Sequence, residues 1–427
     1  MEKGVRHGQL VDGTRLPTVR GLAAELGVSA GTVAAAYRAL RDRGVVVTDG
    51  RRGTRVGRRP PLAPVGRPPS RPVLTGTRDL ATGNPDPELL FDLGPPLSRA
   101  AGHARLYGGS AVLPALADLG RAGFAADGVD ARSFTVVAGA LDGVERVLGA
   151  HLRPGDRVAV EDPGYPPVLD LGAALGLTVV PVAVDDDGPL PSALRAALSA
   201  GAKALIVTVR AQNPTGGALS PPRARVLRRL LEQHTEVLVV EDDHAGPVAG
   251  VDAVSLVGHG RRPRWAVVRS VAKALGPDLR LALLAGDATT VSRVEGRLAL
   301  GPGWVSGLLQ GAVADLLGNP ATARRLDHAA GVYAGRRSAL VAALGERGVA
   351  STGRSGMNVW VPVVDEASVV AGLLSEGIAV SAGSRFRTSS GAGVRVTVST
   401  LMPSEAPAVA DALARAVAIA AAPVRTG

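Results

Sequence analysis

From about residue 130 to residue 286 the chain alternates short β-branched runs with Ala/Leu/Arg-rich stretches of helical spacing. The runs are FTVVAG, DRVAVEDPGY, TVVPVAV, KALIVTV, EVLVVEDD, RWAVVRS and LRLALLAG. Runs this continuously apolar need cover on both faces, and strands separated by helices long enough to cross back pair in parallel. The expected fold is therefore α/β, a mostly parallel sheet with helices on both sides. The chain is long enough, because 427 residues, 46% of them apolar, bury a large core and leave room for two or three domains. There is no cysteine, which excludes disulfides, thiolate metal sites and a Cys nucleophile, and no metal is expected. No run of about 18 apolar residues occurs, and the N-terminus has no apolar core behind its charges. The expectation is a cytoplasmic protein.

Polar residues sit just past the ends of the apolar runs: Gly139, Tyr165, Asn213, Asp242, Ser270 and Lys273. Open α/β sheets bind ligands beyond the carboxyl ends of their strands, so these residues can meet in one crevice. Lys273 carries the most information. The chain holds 48 Lys plus Arg but only three lysines, Lys3, Lys203 and Lys273. Arginine cannot lose its proton and cannot form an imine, whereas lysine can once burial or a neighbouring cation lowers its pKa. A lysine kept between Ala272 and Ala274 points to Schiff-base chemistry. Ser270 and Arg280 can take a phosphate, the arginine by a bidentate pair. AGALDG opens a helix whose N–H groups at Ala140 and Leu141 form an anion site. Asp242 can pair with a pyridinium nitrogen, Asn213 with a ring hydroxyl, and Tyr165 can stack on a ring. Each also has a plainer reading: Asp242 as a strand-end cap, Arg395 as a surface residue of an alternating strand, Tyr165 as a turn aromatic packed on Pro163. Lys203, at a helix-to-strand junction, reads as structural.

The charge is uneven. Residues 1–72 hold 14 Lys plus Arg against 5 Asp plus Glu, and the remainder holds 34 against 33. A basic head on a balanced body points to an anionic polymer as the head's partner. Thr18 can cap a helix with Leu22, Ala23 and Leu26 on one face, ended by Gly27. Ser29 caps a second helix, with Val33, Ala36, Tyr37 and Leu40 at helical spacing. Val45–Val47, a DGRRG turn and GTRV then make a wing with Arg51 and Arg52 at its tip. The segment RLPTVRGLAAELGVSAGTVAAAYRAL…GTRV resembles the winged helix-turn-helix of GntR-type regulators. That resemblance implies double-stranded DNA as partner, a recognition helix from Ser29 in the major groove, and contacts from Arg15, Arg20, Ser29, Thr32, Tyr37, Arg51 and Arg52. Ala30 and Gly31 stand where the family carries a long polar side chain, so phosphate contacts would supply most of the affinity. The family's first helix is largely missing, so the expectation is either a start that lies upstream or a less stable head. The plainer reading of the head is a helical hairpin for protein contacts.

Residues 57–76 contain six prolines and no periodicity, a semi-rigid linker reaching roughly 60 Å at about 3.1 Å per residue. From residue 79 onward the motifs YGG at Tyr107, AGALDG, EDPGY, AQNPTG, VEDDH, SVAKALGPDLRL and GVRVTV follow in order. Together they resemble the fold-type I, pyridoxal 5′-phosphate-dependent aminotransferases of class I/II. The resemblance implies that Lys273 is the catalytic lysine that carries the cofactor and that Asp242 is its electron-sink partner. It makes Asn213 the ligand of the ring oxygen, and Ser270 with Arg280 the phosphate anchor. Tyr107 would reach in from a second subunit of a homodimer, and Arg395 would clamp a substrate carboxylate. Three positions depart from the pattern: His244 for Tyr, Leu141 for a polar residue, and Ala272 for Ser. Imidazole can still donate to the ring oxygen but titrates near neutrality.

The whole layout resembles the MocR-type regulators. The expected division is a winged head at 1–56, a linker at 57–78 and an aminotransferase-like body at 79–427. Within the body, a large cofactor-binding part spans about 108–310, and a smaller α+β part spans about 311–427 with some of 79–107. The expected function is a cofactor-dependent transcriptional regulator that senses an amine or amino acid. The alternatives are a working aminotransferase with an accessory head, and a DNA-binding protein whose body has lost its cofactor and only dimerises.

Overall fold

The strands of the large sheet lie where the β-branched runs place them. The computed structural model describes residues 10–11, 13–42, 45–48, 53–57, 76–102, 106–258 and 262–421. Eight strands run in the order Ser133–Val137, Ala282–Gly286, Trp265–Ser270, Leu238–Asp243, Ala202–Thr208, Arg157–Asp162, Thr178–Asp185 and Gly188–Pro189. Six of the seven pairings join strands expected from the sequence, and four of these are parallel. Ala282–Gly286 runs against both neighbours, and the two-residue edge strand is also antiparallel. One face buries Ala159, Leu205, Val207, Val239 and Val267 beneath helices Pro114–Ala126, Pro191–Ser199, Pro221–Glu232 and Gly307–Leu317. The other buries Val158, Val160, Ile206, Val240 and Val268 beneath helices Ala140–His151, Pro166–Ala174 and Ala288–Ala299.

A second core forms at the C-terminal end. Strands Asn358–Pro362, Gly393–Thr397 and Ser381–Ala382 make an antiparallel sheet. It packs with helices Glu366–Ser375 and Ala406–Ala421 and the end of the long helix Pro320–Glu346, through Leu340, Leu344, Val369, Val394, Val396 and Leu413. The beginning of the body joins this layer. Strand Arg78–Asp79 pairs in parallel with Ile378–Ala379, and Leu80 is fully buried in the C-terminal core.

In the head, Thr18 Oγ1 accepts from the Gly21 N–H at 3.1 Å and starts helix Val19–Leu26, which Gly27 ends at φ 65°. Helix Ala30–Asp42 follows, then strands Val46–Thr48 and Thr54–Val56, paired antiparallel as the wing. Seven residues make the core: Leu16, Ala23, Val33, Tyr37, Leu40, Val46 and Val56. Leu26 and Ala36, expected on the inner faces, are exposed, because two short helices and a narrow ribbon are too small to cover both flanks of either helix. Among the described residues no helix is long and apolar enough to cross a membrane.

Candidate functional site

The site is built where the parallel strands Leu238–Asp243 and Trp265–Ser270 end side by side, with Asp242 opposite Val268 and Asp243 opposite Arg269. Alternation along a strand sends two neighbouring carboxylates to opposite faces. Asp243 is fully buried and held by cations: Arg210 donates to it through Nε and Nη2, both at 2.8 Å, and Arg269 through Nε at 2.7 Å. Hydrogen bonds and charge from these arginines keep it ionised, well below the usual carboxylate range in spite of its burial. Asp242 has no such partner. Its Oδ1 is buried and unbonded, and burial, with Asp243 and Glu161 adding like charge, pushes the carboxyl up to about 7.

Lys273 follows on the turn after Ser270. It is half-buried, and its Nζ donates to the backbone carbonyl of Gly83. Burial first, and the positive charge of Arg395 second, bring the ammonium down to about 8. His244 is displaced further, to about 4, by burial and then by Lys273. The expectation that it titrates near neutrality is corrected: at physiological pH its ring is neutral. Asn213 Oδ1 accepts from Arg395 Nη1 at 3.1 Å. Arg395 also donates to the Ala81 carbonyl and to Ser381 Oγ, and its guanidinium lies over the Phe386 ring at 4.9 Å. Its Nε is buried without a partner, and burial lowers the group to about 10. The surface reading of Arg395 therefore fails. Strand Gly393–Thr397 is buried on both sides: Val394 and Val396 enter the C-terminal core, and Arg395 turns toward Asn213 and Lys273.

The anion end lies at helix Ala140–His151. Gly139, at φ 100°, precedes it, and a Cβ there would meet Arg280 Nη2 at 2.9 Å. Only glycine allows the guanidinium to lie over this helix end. Arg280 takes a left-handed backbone, φ 40°, and its side chain is exposed. Ser270 is buried, its Oγ accepting from the Ala272 N–H at 3.2 Å. Ala140 and Leu141 occupy the first turn; the Leu141 side chain packs on the apolar core, which leaves its N–H for an anion. Tyr165 precedes helix Pro166–Ala174 and is 40% exposed. Tyr107 is 92% exposed and meets Trp304 edge-on at 5.5 Å between ring centres. Lys203 pairs with Asp156 at 2.5 Å, in keeping with a structural role.

A buried carboxyl with an orphaned oxygen, a lysine near neutrality and a helix end reserved by glycine fit pyridoxal 5′-phosphate. Its ring nitrogen would meet Asp242 and its aldehyde Lys273, and its phosphate would sit between the Ala140–Leu141 amides, Ser270 and Arg280.

Sequence reasoning missed four contributors: Ala81, Gly83, Ser381 and Phe386. The first two act through backbone carbonyls, which leave no mark on residue type. Phe386 carried a faint one, being among only four phenylalanines in an aromatic-poor chain.

In the head, Arg15 and Arg20 are exposed. Ser29 Oγ accepts from the Thr32 N–H at 3.1 Å and shares a hydrogen bond with Thr32 Oγ1 at 2.8 Å, so both hydroxyls already serve the helix start. Tyr37 is corrected from a DNA contact to a core residue, 6% exposed, with its hydroxyl donating to the Pro17 carbonyl at 2.9 Å. Arg51 and Arg52 lie outside the described residues.

The family model for aminotransferase class I and II matches residues 104–413, and that for bacterial regulatory proteins of the gntR family matches residues 2–56. The chain is 40% identical over 394 residues to the vitamin B6 salvage pathway transcriptional repressor PtsJ of Salmonella typhimurium, covering 91% of this chain and 90% of that protein. It is 27% identical to the HTH-type transcriptional regulator TauR of Rhodobacter capsulatus, over 90% and 87% of the two chains. The fold is similar to that of a kynurenine aminotransferase from Pyrococcus horikoshii, with a TM-score of 0.74 at 20% identity over 82% of this chain and 93% of that one. The chain belongs to the MocR-type gntR transcriptional regulators, a winged helix-turn-helix head joined to an aminotransferase class I and II body whose cofactor is pyridoxal 5′-phosphate.

Proposed function

We propose that the chain acts in the cytoplasm as a homodimer that binds an operator through its head and senses a small amine or amino acid through its body. Residues 1–56 read DNA, 57–78 tether and 79–427 sense. The observation that carries the reading is Asp242, a buried carboxyl without a cation at the end of the sheet that also presents Lys273. An unpaired buried acid costs stability, and a protonated ring nitrogen is the partner that recovers it. Bound there, the cofactor supplies an aldehyde and an electron-withdrawing ring.

The chain's own groups divide the remaining tasks. Lys273, brought down to about 8, holds an appreciable neutral fraction near physiological pH and can attack a carbonyl. Asn213, with neutral His244, would hold the ring oxygen, Tyr165 would offer a stacking face, and Arg395 can give its unused Nε to a ligand carboxylate. The exposure of Tyr107 supports a role for it at a partner's phosphate site. In the head, exposed Arg15 and Arg20 supply phosphate contacts, with Ser29 and Thr32 at the groove. The likeness to a repressor of vitamin B6 salvage supports genes of B6 supply as its targets.

A second reading, an aminotransferase that turns over, is favoured by the retained Asn213–Arg395 pair and the lowered Lys273. Titration of purified protein with pyridoxal phosphate tests the first. A visible absorption band is expected, with borohydride fixing the label on Lys273; no band, or label elsewhere, overturns it. Incubation of the loaded protein with amino acids and 2-oxoglutarate separates the two, since a regulator exchanges its bound amine without sustained conversion.

A further inference from the structure

We infer that the backbone of residues 81–83 is a latch between the site lysine and the tether of the DNA-binding head, and that covalent occupation of Lys273 opens it. The inference rests on the sensing function proposed above and names the element that carries the signal.

Lys273 belongs to the layer of the eight-stranded sheet. The carbonyl that takes its Nζ hydrogen bond, Gly83, follows a segment that belongs to the other layer. There Arg78–Asp79 pairs with Ile378–Ala379, Leu80 is fully buried in the C-terminal core, and the Leu80 carbonyl accepts from Thr397 N at 2.8 Å. Arg78 is fastened to Glu405 by Nε at 3.0 Å and Nη2 at 2.9 Å. Between anchor and latch the turn is stiff: the Asp79 carboxylate accepts from Ala81 N at 2.8 Å, Thr82 N at 3.1 Å and Thr82 Oγ1 at 3.0 Å. A second tie sits beside the first, where the Ala81 carbonyl accepts from Arg395 Nη2 and from Ser381 Oγ, the latter at 2.9 Å. The residues that lead to the head begin immediately upstream of Arg78.

The tie and the chemistry compete for one nitrogen. When Nζ condenses with an aldehyde, two of its hydrogens leave with the carbonyl oxygen as water and a carbon–nitrogen double bond forms. The nitrogen then keeps at most one proton, fixed in the plane of the new bond, and the Gly83 carbonyl loses its donor. A ligand carboxylate drawn to Arg395 competes for the Ala81 tie in the same way. Site occupation thus loosens residues 81–83, the stretch that continues from the Arg78–Leu80 anchor at which the tether joins the body.

Deuterium exchange of the full chain reads the latch at the amides of residues 81–84, with absorbance recording loading. In the wild type, pyridoxal phosphate should speed exchange there on the order of ten-fold, as expected when a bond to a charged group is lost. Lys273→Met, which offers no donor, should exchange at the loaded rate with no cofactor added. Lys273→Arg keeps a donor but cannot condense, and should stay at the slow rate whether or not pyridoxal phosphate is present. Unchanged exchange in wild type that has gained its absorption band overturns the latch alone, as does Lys273→Met exchanging like the empty wild type. A wild type that never gains a band overturns the cofactor reading, and the latch with it.

Discussion

The head and the body solve opposite problems. Among its described residues the head has a core of seven and keeps Arg15 and Arg20 at its surface, where water solvates them until a phosphate arrives. The body places Asp242, Lys273 and Arg395 in surroundings that penalise their charge, and leaves an oxygen of Asp242 and a nitrogen of Arg395 unbonded. The head therefore gives up little stability for its function but needs many weak contacts. The body gives up more, and recovers it from one ligand.

Removal of residues 1–57 is the strongest way to break the contrast. DNA binding should vanish at every salt concentration, while affinity for pyridoxal phosphate, measured by absorbance titration, changes less than about two-fold. In the intact protein DNA affinity should fall steeply with salt, on the order of 10³-fold from 50 to 200 mM for six or more phosphate contacts. Next comes Asp242→Asn. Empty protein holds a proton on Asp242 up to about pH 7, against 3.8 for a free aspartate. The folded state then binds more protons, so stability falls as pH rises through that window, by on the order of 4 kcal/mol. The asparagine should lessen that fall, to which Glu161 and Glu241, both also raised to about 7 by burial, contribute, in melting curves taken between pH 4 and 8, while weakening cofactor binding roughly 100-fold. A variant with unchanged pH dependence would show that the carboxyl is not strained. Arg20→Ala should lower DNA affinity about ten-fold and reduce the salt slope by about one, without effect on cofactor absorbance. The smallest effect belongs to Tyr37→Phe, which should cost the head about 1 kcal/mol through its bond to Pro17 and leave the DNA salt slope unchanged.

What the sequence made legible follows the same division. The seven β-branched runs fall on seven of the eight strands of the main sheet, the central ones because a strand buried on both faces must be apolar throughout; Thr178–Asp185, near the edge, is exposed or half-buried along most of its length. Asp242, Asn213, Ser270 and Lys273 were found because strand ends are where polar residues converge. Tyr37 was misread for a physical reason: the spacing that faces a groove also faces a core, and only the position of Pro17 decides between them. The surface reading of Arg395 failed because alternation identifies a second face without saying whether another layer covers it. Gly83 and Ala81 were illegible, since a carbonyl acts without regard to the side chain attached. Fixing their place takes a pairing that spans 300 residues, from Arg78 to Ile378.

That pairing also sets a schedule for biosynthesis. The described elements of the head all lie before residue 58, whereas Arg78–Asp79 must wait for its partner strand to leave the ribosome, roughly 15 to 60 seconds later at about 5–20 residues per second. Until then the nascent chain owns a finished DNA reader and no finished sensor. On the reading proposed above, molecules interrupted in that interval would carry a head without the body that is to govern it, which makes prompt destruction of truncated copies part of keeping such a regulator obedient.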